Sequence, residues 1–155
     1  MNRILLKFLI SLWKVILLFP RTIQKKFGLL LGYLFYKSNL KRNGFSKKNI
    51  DLCLSNFDEA KKKEIYKSNI LLSGSIPFDT GVAWFWSDKR INKRVKYKIV
   101  GLEKLIEEQK NNNGILLFFK HSLHLELDAR LLGMNADVYG VERVHNSDSF
   151  DSIQN

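Results

Sequence analysis

The first part of the chain carries long apolar stretches that basic residues interrupt. Thirteen of the sixteen residues in 4–19 are apolar, and the polar positions recur at spacings of four, four and three, at Arg3, Lys7, Ser11 and Lys14. This spacing places the polar positions on one face of a helix whose remaining circumference is apolar. The pattern predicts a helix that lies in a membrane interface, or a tilted anchor whose lysines reach the polar surface.

Two other interpretations of this segment stay open. A secretory signal peptide also has a basic start and an apolar middle, although no small-x-small cleavage site follows at 19–22. A buried core helix with a solvated basic rim would show the same periodicity. We expect membrane attachment, because Arg21, Lys25 and Lys26 follow the apolar segment and anionic headgroups attract each nearby basic residue by about 1 kcal/mol.

Further helices are expected as far as residue 86. Pro20 ends or kinks the first helix. Ser55 and Asn56 are candidates to cap a helix that begins near Asp58. The pattern predicts helices at 21–42, at about 58–73 and in the aromatic stretch around 82–86, with a polar connection at 43–50.

The pattern changes after residue 93. Residues 94–99 alternate polar and apolar, 115–119 form a continuous apolar run, and 136–141 are a possible third strand. Predicted helices at 101–110 and 122–132 separate them, and this strand–helix alternation favours an α/β layer. With three strands before a polar tail, we expect the front part of a longer, truncated domain.

The expected organisation therefore has three regions. They are a membrane anchor helix (1–19), a helical membrane-proximal region (20–92) and a partial α/β core (93–155).

Charge and cysteine content narrow the function classes. The 155 residues carry a formal net charge of +11, from 26 Lys and Arg against 15 Asp and Glu. A balance this basic favours an anionic partner such as phospholipid, phosphorylated glycolipid, nucleic acid or an acidic protein. Nucleic-acid binding rests on charge alone, so we expect no nucleic acid. Cys53 is the single cysteine, which excludes an internal disulfide and a cysteine-based zinc site.

The candidate catalytic residues come shortly after the apolar run at 115–119. His121 is expected in a turn or at a helix N-cap, with Glu126 about one turn later. Glu126 could then accept a hydrogen bond from one ring nitrogen and leave the other to take a proton from a substrate hydroxyl. The alternatives are a histidine satisfied near a helix start, a surface pair of His124 with Asp128, and a zinc site of His121, His124 and Glu126.

A second candidate lies further along the chain. Arg143 follows the possible third strand and is a candidate for binding an oxyanion, because guanidinium binds phosphate or carboxylate bidentately.

Five stretches in this order resemble the late acyltransferases of lipid A biosynthesis, of the Kdo-lipid IVA lauroyltransferase type. Residues 49–54 resemble the family's Asn-Leu-x-Leu-Cys-Phe segment, and 80–86 its Thr-Gly-Met-Ala-Trp-Phe-Trp segment. Residues 100–103 resemble Val-x-Gly-Leu-Glu, 121–126 match the His-x-x-x-x-Glu motif, and 143–146 resemble Arg-Pro-His-Asn. The departures include Lys120, where a small or apolar residue is usual, Glu142 in place of an aromatic residue, and Val144 in place of Pro.

The resemblance implies an acyltransferase at the cytoplasmic face of the bacterial inner membrane. It would transfer an acyl group from acyl carrier protein to a hydroxyl of the lipid A precursor, without metal or cofactor. His121 would be the general base, Glu126 its orienting partner and Arg143 a contributor to substrate binding. The precursor, the acidic carrier protein and anionic membrane lipid all suit a basic protein. Because family members are longer, the alternative is a catalytically inactive membrane-binding remnant.

Overall fold

The computed structural model describes residues 3–38, 41–111 and 113–140. This part of the chain contains eight helices, α1 Arg3–Ile16, α2 Arg21–Lys37, α3 Lys41–Cys53, α4 Glu59–Ser73, α5 Ile76–Phe85, α6 Asp88–Arg94, α7 Leu102–Lys110 and α8 Leu125–Gly133. The predicted helices at 21–42, 58–73, 101–110 and 122–132 are confirmed, with shorter bounds for the first and last.

Helix α1 has a narrow inward stripe and a broad exposed apolar face. Leu6, Ile10 and Trp13 are half-buried, and Leu17 after the helix is fully buried, at spacings of four, three and four. Ile16 is half-buried as well, and six further large apolar side chains of α1 are exposed, namely Ile4, Leu5, Phe8, Leu9, Leu12 and Val15. The helix therefore packs against the rest of the protein along one narrow face, and most of its apolar surface is exposed.

Helix α2 crosses α4 at glycines. A Cβ at Gly32 would collide with the backbone of Leu71, and a Cβ at Gly74 would collide with the backbone of Gly28 and Gly32. Only glycine allows the two backbones to approach this closely. Helix α3 also packs on α4.

The apolar core gathers around α5. The side chains of α5 pack against α1, α2 and α8, and the buried set consists of Leu17, Val82, Ala83, Trp86, Ile91, Leu127 and Leu131. Trp13 meets Phe85 edge-to-face at 5.1 Å and donates its indole N–H to the carbonyl of Pro77 at 3.0 Å. Burial of a large side chain contributes roughly 1.5–3 kcal/mol, so this cluster, and α5 at its centre, stabilises the assembly of helices.

The prediction of an α/β class with a partial α/β core at 93–155 was wrong. In the described ranges, residues 95–99, 113–120 and 136–140 are extended or irregular and none pairs in a strand. A strand forms only where a neighbour supplies partners for its backbone N–H and C=O groups. The apolar run at 115–119 accordingly lies exposed, with Phe118 at 89% of its full accessibility.

Two local predictions were also wrong. The polar segment at 43–50 is not a connection but belongs to helix α3. The cap of α4 is Asp58, whose carboxylate accepts from the N–H of Lys61 at 2.7 Å, and not Ser55 or Asn56. In both cases local hydrogen bonding and packing on α4 outweigh a weak preference of the sequence.

None of the helices in the described ranges is both long enough and apolar enough to cross a membrane. Helix α1, with 14 residues, extends about 21 Å, against a hydrocarbon thickness of about 30 Å.

Candidate active site

The segment around His121 lies beside an open cavity of about 800 Å³. Its walls come from the C-terminal parts of α2 and α4, from the N-terminal parts of α3 and α5, and from residues 120–123. The apolar lining residues are Phe35, Ile70, Ile76, Pro77 and Leu123, and the polar ones are Asn43, Ser46, Asn69, Ser73, Lys120, His121 and Ser122. A cleft of this size with mixed walls suits a ligand that has both an apolar and a polar part.

Glu126 is held by a residue of helix α5. It lies in the first turn of α8, where the positive end of the helix dipole stabilises a carboxylate. Its Oε2 accepts a hydrogen bond from the indole Nε1 of Trp84 at 3.2 Å, and both side chains are half-buried. The aromatic segment 82–86 therefore contributes a polar contact to the site in addition to core packing.

The structure does not bring His121 and Glu126 into contact. His121 is exposed and lines the cavity, whereas Glu126 faces Trp84. The hydrogen bonds among the described residues include none that joins the two side chains. Their pairing stays a prediction.

The imidazole that does meet a carboxylate belongs to His124. Its Nδ1 lies 2.6 Å from Oδ2 of Asp79, a residue of α5. The partner of His124 is therefore Asp79 and not Asp128, the alternative that the sequence offered. The other oxygen of Asp79, Oδ1, accepts from the guanidinium of Arg21 at the start of α2. Asp128 accepts instead from the hydroxyl of Ser122 at 3.1 Å.

This pair continues into the turn between α1 and α2. Arg21 also donates to Oε1 of Gln24 at 2.7 Å. Gln24 is fully buried, and its Nε2 donates to the carbonyls of Leu17 at 3.0 Å and Phe19 at 2.8 Å. A continuous polar network thus runs from the end of α1 to the residue before α8.

Sequence reasoning missed Asp79, Arg21 and Gln24. One signal was available for Asp79, the single charged residue in the apolar stretch 76–86, because a carboxylate buried there requires a partner. The sequence held no indication that this partner would be His124, 45 residues away.

Two candidates from the sequence remain, the zinc site and Arg143. Among the residues that the structure describes, no three His, Cys, Asp or Glu side chains converge as metal donors, so the zinc alternative gains no support. Arg143 and its neighbours lie outside the described residues.

Comparison with known proteins defines the class. Residues 2–155 match the family described as "Bacterial lipid A biosynthesis acyltransferase". The chain is 35% identical over 147 residues to a lipid A biosynthesis acyltransferase of Haemophilus influenzae, which covers 94% of this chain and 46% of that protein. It is 32% identical over 143 residues to the lipid A biosynthesis lauroyltransferase of Escherichia coli K12, covering 92% and 46%.

A palmitoleoyltransferase of lipid A biosynthesis from Escherichia coli K12 is 28% identical over 114 residues, covering 74% of this chain and 37% of that protein. No solved structure is significantly similar to the chain. The chain belongs to the bacterial lipid A biosynthesis acyltransferase family. It spans less than half the length of the curated relatives that it matches.

Proposed function

We propose that this protein transfers a fatty acyl group to a hydroxyl of the Kdo-lipid IVA precursor, with acyl carrier protein as the donor. The observation that carries this proposal is the position of the His-x-x-x-x-Glu segment. It leads from His121 on the lining of the cavity to Glu126 in the first turn of α8.

The proposed reaction needs one base and an activated thioester. His121 takes the proton of the acceptor hydroxyl as its oxygen attacks the thioester carbonyl. The carbon–sulfur bond then breaks, an ester remains on the acceptor, and the carrier thiol leaves with the proton from His121. Because the thioester is already activated, the proposal requires no metal or cofactor.

Glu126 is the proposed orienting partner of His121. In the described geometry its carboxylate is held by Trp84, within five residues of the base. The proposal is that the His121 side chain swings to Glu126 when substrate fills the cavity, while His124 stays in place. Catalytic hydrogen bonds are often long or open in ligand-free proteins and tighten in the substrate complex.

The cavity is the proposed binding site for the acyl-bearing end of the precursor. Phe35, Ile70 and Ile76 supply apolar walls for a hydrocarbon chain. Lys120 lies beside His121 on the cavity and supplies a cation for a phosphorylated or otherwise anionic group. Arg143 is proposed to bind the anionic substrate as well.

We propose that α1 and α2 lie on the cytoplasmic face of the inner membrane. Besides the face of α1, helix α2 exposes Ile23, Phe27, Leu29, Leu30, Tyr33 and Leu34. An exposed apolar surface this extensive is unusual for a soluble monomer. Lys25, Lys26 and Lys37 lie along α2 and suit anionic headgroups.

The test is acyl transfer by the 155-residue chain reconstituted in vesicles, with labelled acyl carrier protein and the precursor as acceptor. We expect His121→Ala to lower the rate about 10²–10⁴-fold, the usual contribution of a positioned base. Glu126→Gln should lower it as well. Glu103→Gln is the matched control, because Glu103 is also the second residue of a nine-residue helix.

Wild-type rates in both His121→Ala and Glu126→Gln would overturn the assigned roles. The second candidate is a catalytically inactive, membrane-binding member of the family. It is favoured by the limited span of the chain relative to its relatives. Binding to anionic vesicles with a folded spectrum and no transfer would support it.

A further inference from the structure

Asp79 is an unusual residue for its position. Only 3% of it is exposed, and it lies in a helix that supplies Val82 and Ala83 to the buried apolar core. Burial of an ionised carboxylate is costly unless the charge is paired and hydrogen-bonded. Both oxygens of Asp79 are engaged, one by Arg21 and the other by His124.

We propose that Asp79 is a positioning residue for the segment 121–126. The inference rests on the proposed function, since it gives the segment a reason to be held. Through His124, Asp79 fixes the turn that carries His121 and the start of helix α8.

Helix α5 contacts the start of α8 through two side chains. Asp79 holds His124, the N-cap residue of α8, at 2.6 Å. Trp84 holds Glu126, two residues further on, at 3.2 Å. Two contacts on neighbouring residues define an orientation that a single contact would leave free to rotate. Loss of Asp79 therefore releases the turn on the His121 side while Glu126 stays held.

The same contacts determine which ring nitrogen of His124 carries the proton. An ionised Asp79 can only accept, so Nδ1 of His124 must donate to it. In the neutral ring, the lone pair is then on Nε2 of a side chain that is 54% accessible. Asparagine can still accept from Arg21 through its oxygen, and then offers only N–H donors to His124. Asp79→Asn should therefore move the proton from Nδ1 to Nε2.

The first experiment reads this tautomer by ¹⁵N NMR of histidine-labelled chain in detergent micelles, and it needs no turnover. At a pH where the ring is neutral, we expect the proton of His124 on Nδ1 in the wild type and on Nε2 in Asp79→Asn. The matched control is Asp88→Asn, which breaks the exposed ion pair of Asp88 with Arg130 of the same helix α8. An unchanged His124 tautomer in folded Asp79→Asn would overturn the proposed contact.

The second experiment measures amide hydrogen exchange at His124, Leu125 and Asp128, whose backbone N–H groups donate to the Ser122 hydroxyl, the Ser122 carbonyl and the His124 carbonyl. We expect exchange to rise about tenfold in Asp79→Asn and in His124→Ala, as expected for loss of a hydrogen bond to a charged group worth about 1.5 kcal/mol or more. His124 is half-exposed, so His124→Ala keeps the test decisive if the change at buried Asp79 prevents folding. Exchange in both variants equal to that of Asp88→Asn would refute a positioning role.

Kinetics separate positioning from mere stability. We expect Asp79→Asn to lower kcat about tenfold with KM within about twofold, and Asp79→Glu to recover part of the loss, since a misplaced base costs rate rather than binding. Loss of transfer in His121→Ala with a normal kcat in Asp79→Asn would reject this inference alone. Full transfer in His121→Ala would reject the proposed function, whereas the tautomer and exchange results would still decide the role of Asp79.

Discussion

Trp84 and Glu126 are joined by a hydrogen bond of 3.2 Å from the indole Nε1 to Oε2 of the carboxylate, across 42 residues of sequence. The bond connects the aromatic helix α5 to the first turn of α8. It explains why a tryptophan within the apolar segment 82–86 is only half-buried: its ring packs on Trp13 while its N–H reaches the site. The site thus depends on helix α5, which lies some forty residues before it in the sequence.

Trp84→Phe keeps a ring in the core and removes the hydrogen bond. A hydrogen bond to a charged group contributes about 1.5–3 kcal/mol, so we expect acyl transfer to fall about tenfold or more. The contrasting variant is Trp86→Phe, because within the described part of the chain the buried Nε1 of Trp86 has no hydrogen-bond partner. Equal rate losses in the two variants, measured at matched folded fraction, would count against a role for the bond to Glu126.

The close packing of α2 on α4 predicts that Gly32→Ala and Gly44→Ala change the stability of the protein in opposite directions. Gly32→Ala places a methyl group against the backbone of Leu71, which cannot move aside as a side chain would. We expect a loss of roughly 1–3 kcal/mol in the free energy of unfolding, measured by urea denaturation. Gly44→Ala in α3 meets nothing within 4 Å and should stabilise the helix by about 0.5–1 kcal/mol. A neutral Gly32→Ala would show that the helices do not cross as described.

The exposed face of α1 predicts where the protein binds membranes. Phe8 is 64% exposed, and Phe8→Glu should weaken binding to vesicles with anionic lipid about tenfold or more, because burying a phenylalanine is worth about 1.5–3 kcal/mol. Phe45 of α3 is comparably exposed at 67% and lies outside the proposed surface, so Phe45→Glu is the matched control. Sedimentation with the vesicles measures both. Equal weakening would move the membrane surface away from α1 and α2.

Lys120 predicts an effect of charge at the cavity. Lys120→Glu reverses a charge next to His121, and we expect KM for the anionic precursor to rise about three- to tenfold at low salt. The difference should shrink in 0.5 M salt, because screening shortens the reach of exposed charges. Lys104→Glu on α7 makes the same change of net charge away from the cavity. An equal rise of KM in both variants would assign the effect to overall charge.

Much of the helical structure was readable from the sequence, because helices form through local hydrogen bonds and follow periodic apolar positions. This holds for α1, for α4 after Asp58 and for α7. The short motif from His121 to Glu126 was equally readable, and together with four other stretches it led to the family that the comparisons show. The predicted strand at 115–119 failed because its partners are not local: the same apolar run is extended but unpaired in the described structure.

The sequence by itself determined most of the helices, though not α3 or α6, together with the basic and apolar character of the first part of the chain and the segment that bears the candidate chemistry. Only the tertiary structure decided which groups meet. It places Asp79 between Arg21 and His124. It joins Glu126 to Trp84 by a hydrogen bond and leaves His121 on the lining of the cavity. The physical reason is that periodicity and motifs describe neighbours along the chain. A buried carboxylate, by contrast, takes whichever cation and donor the packing of distant helices brings within hydrogen-bond distance.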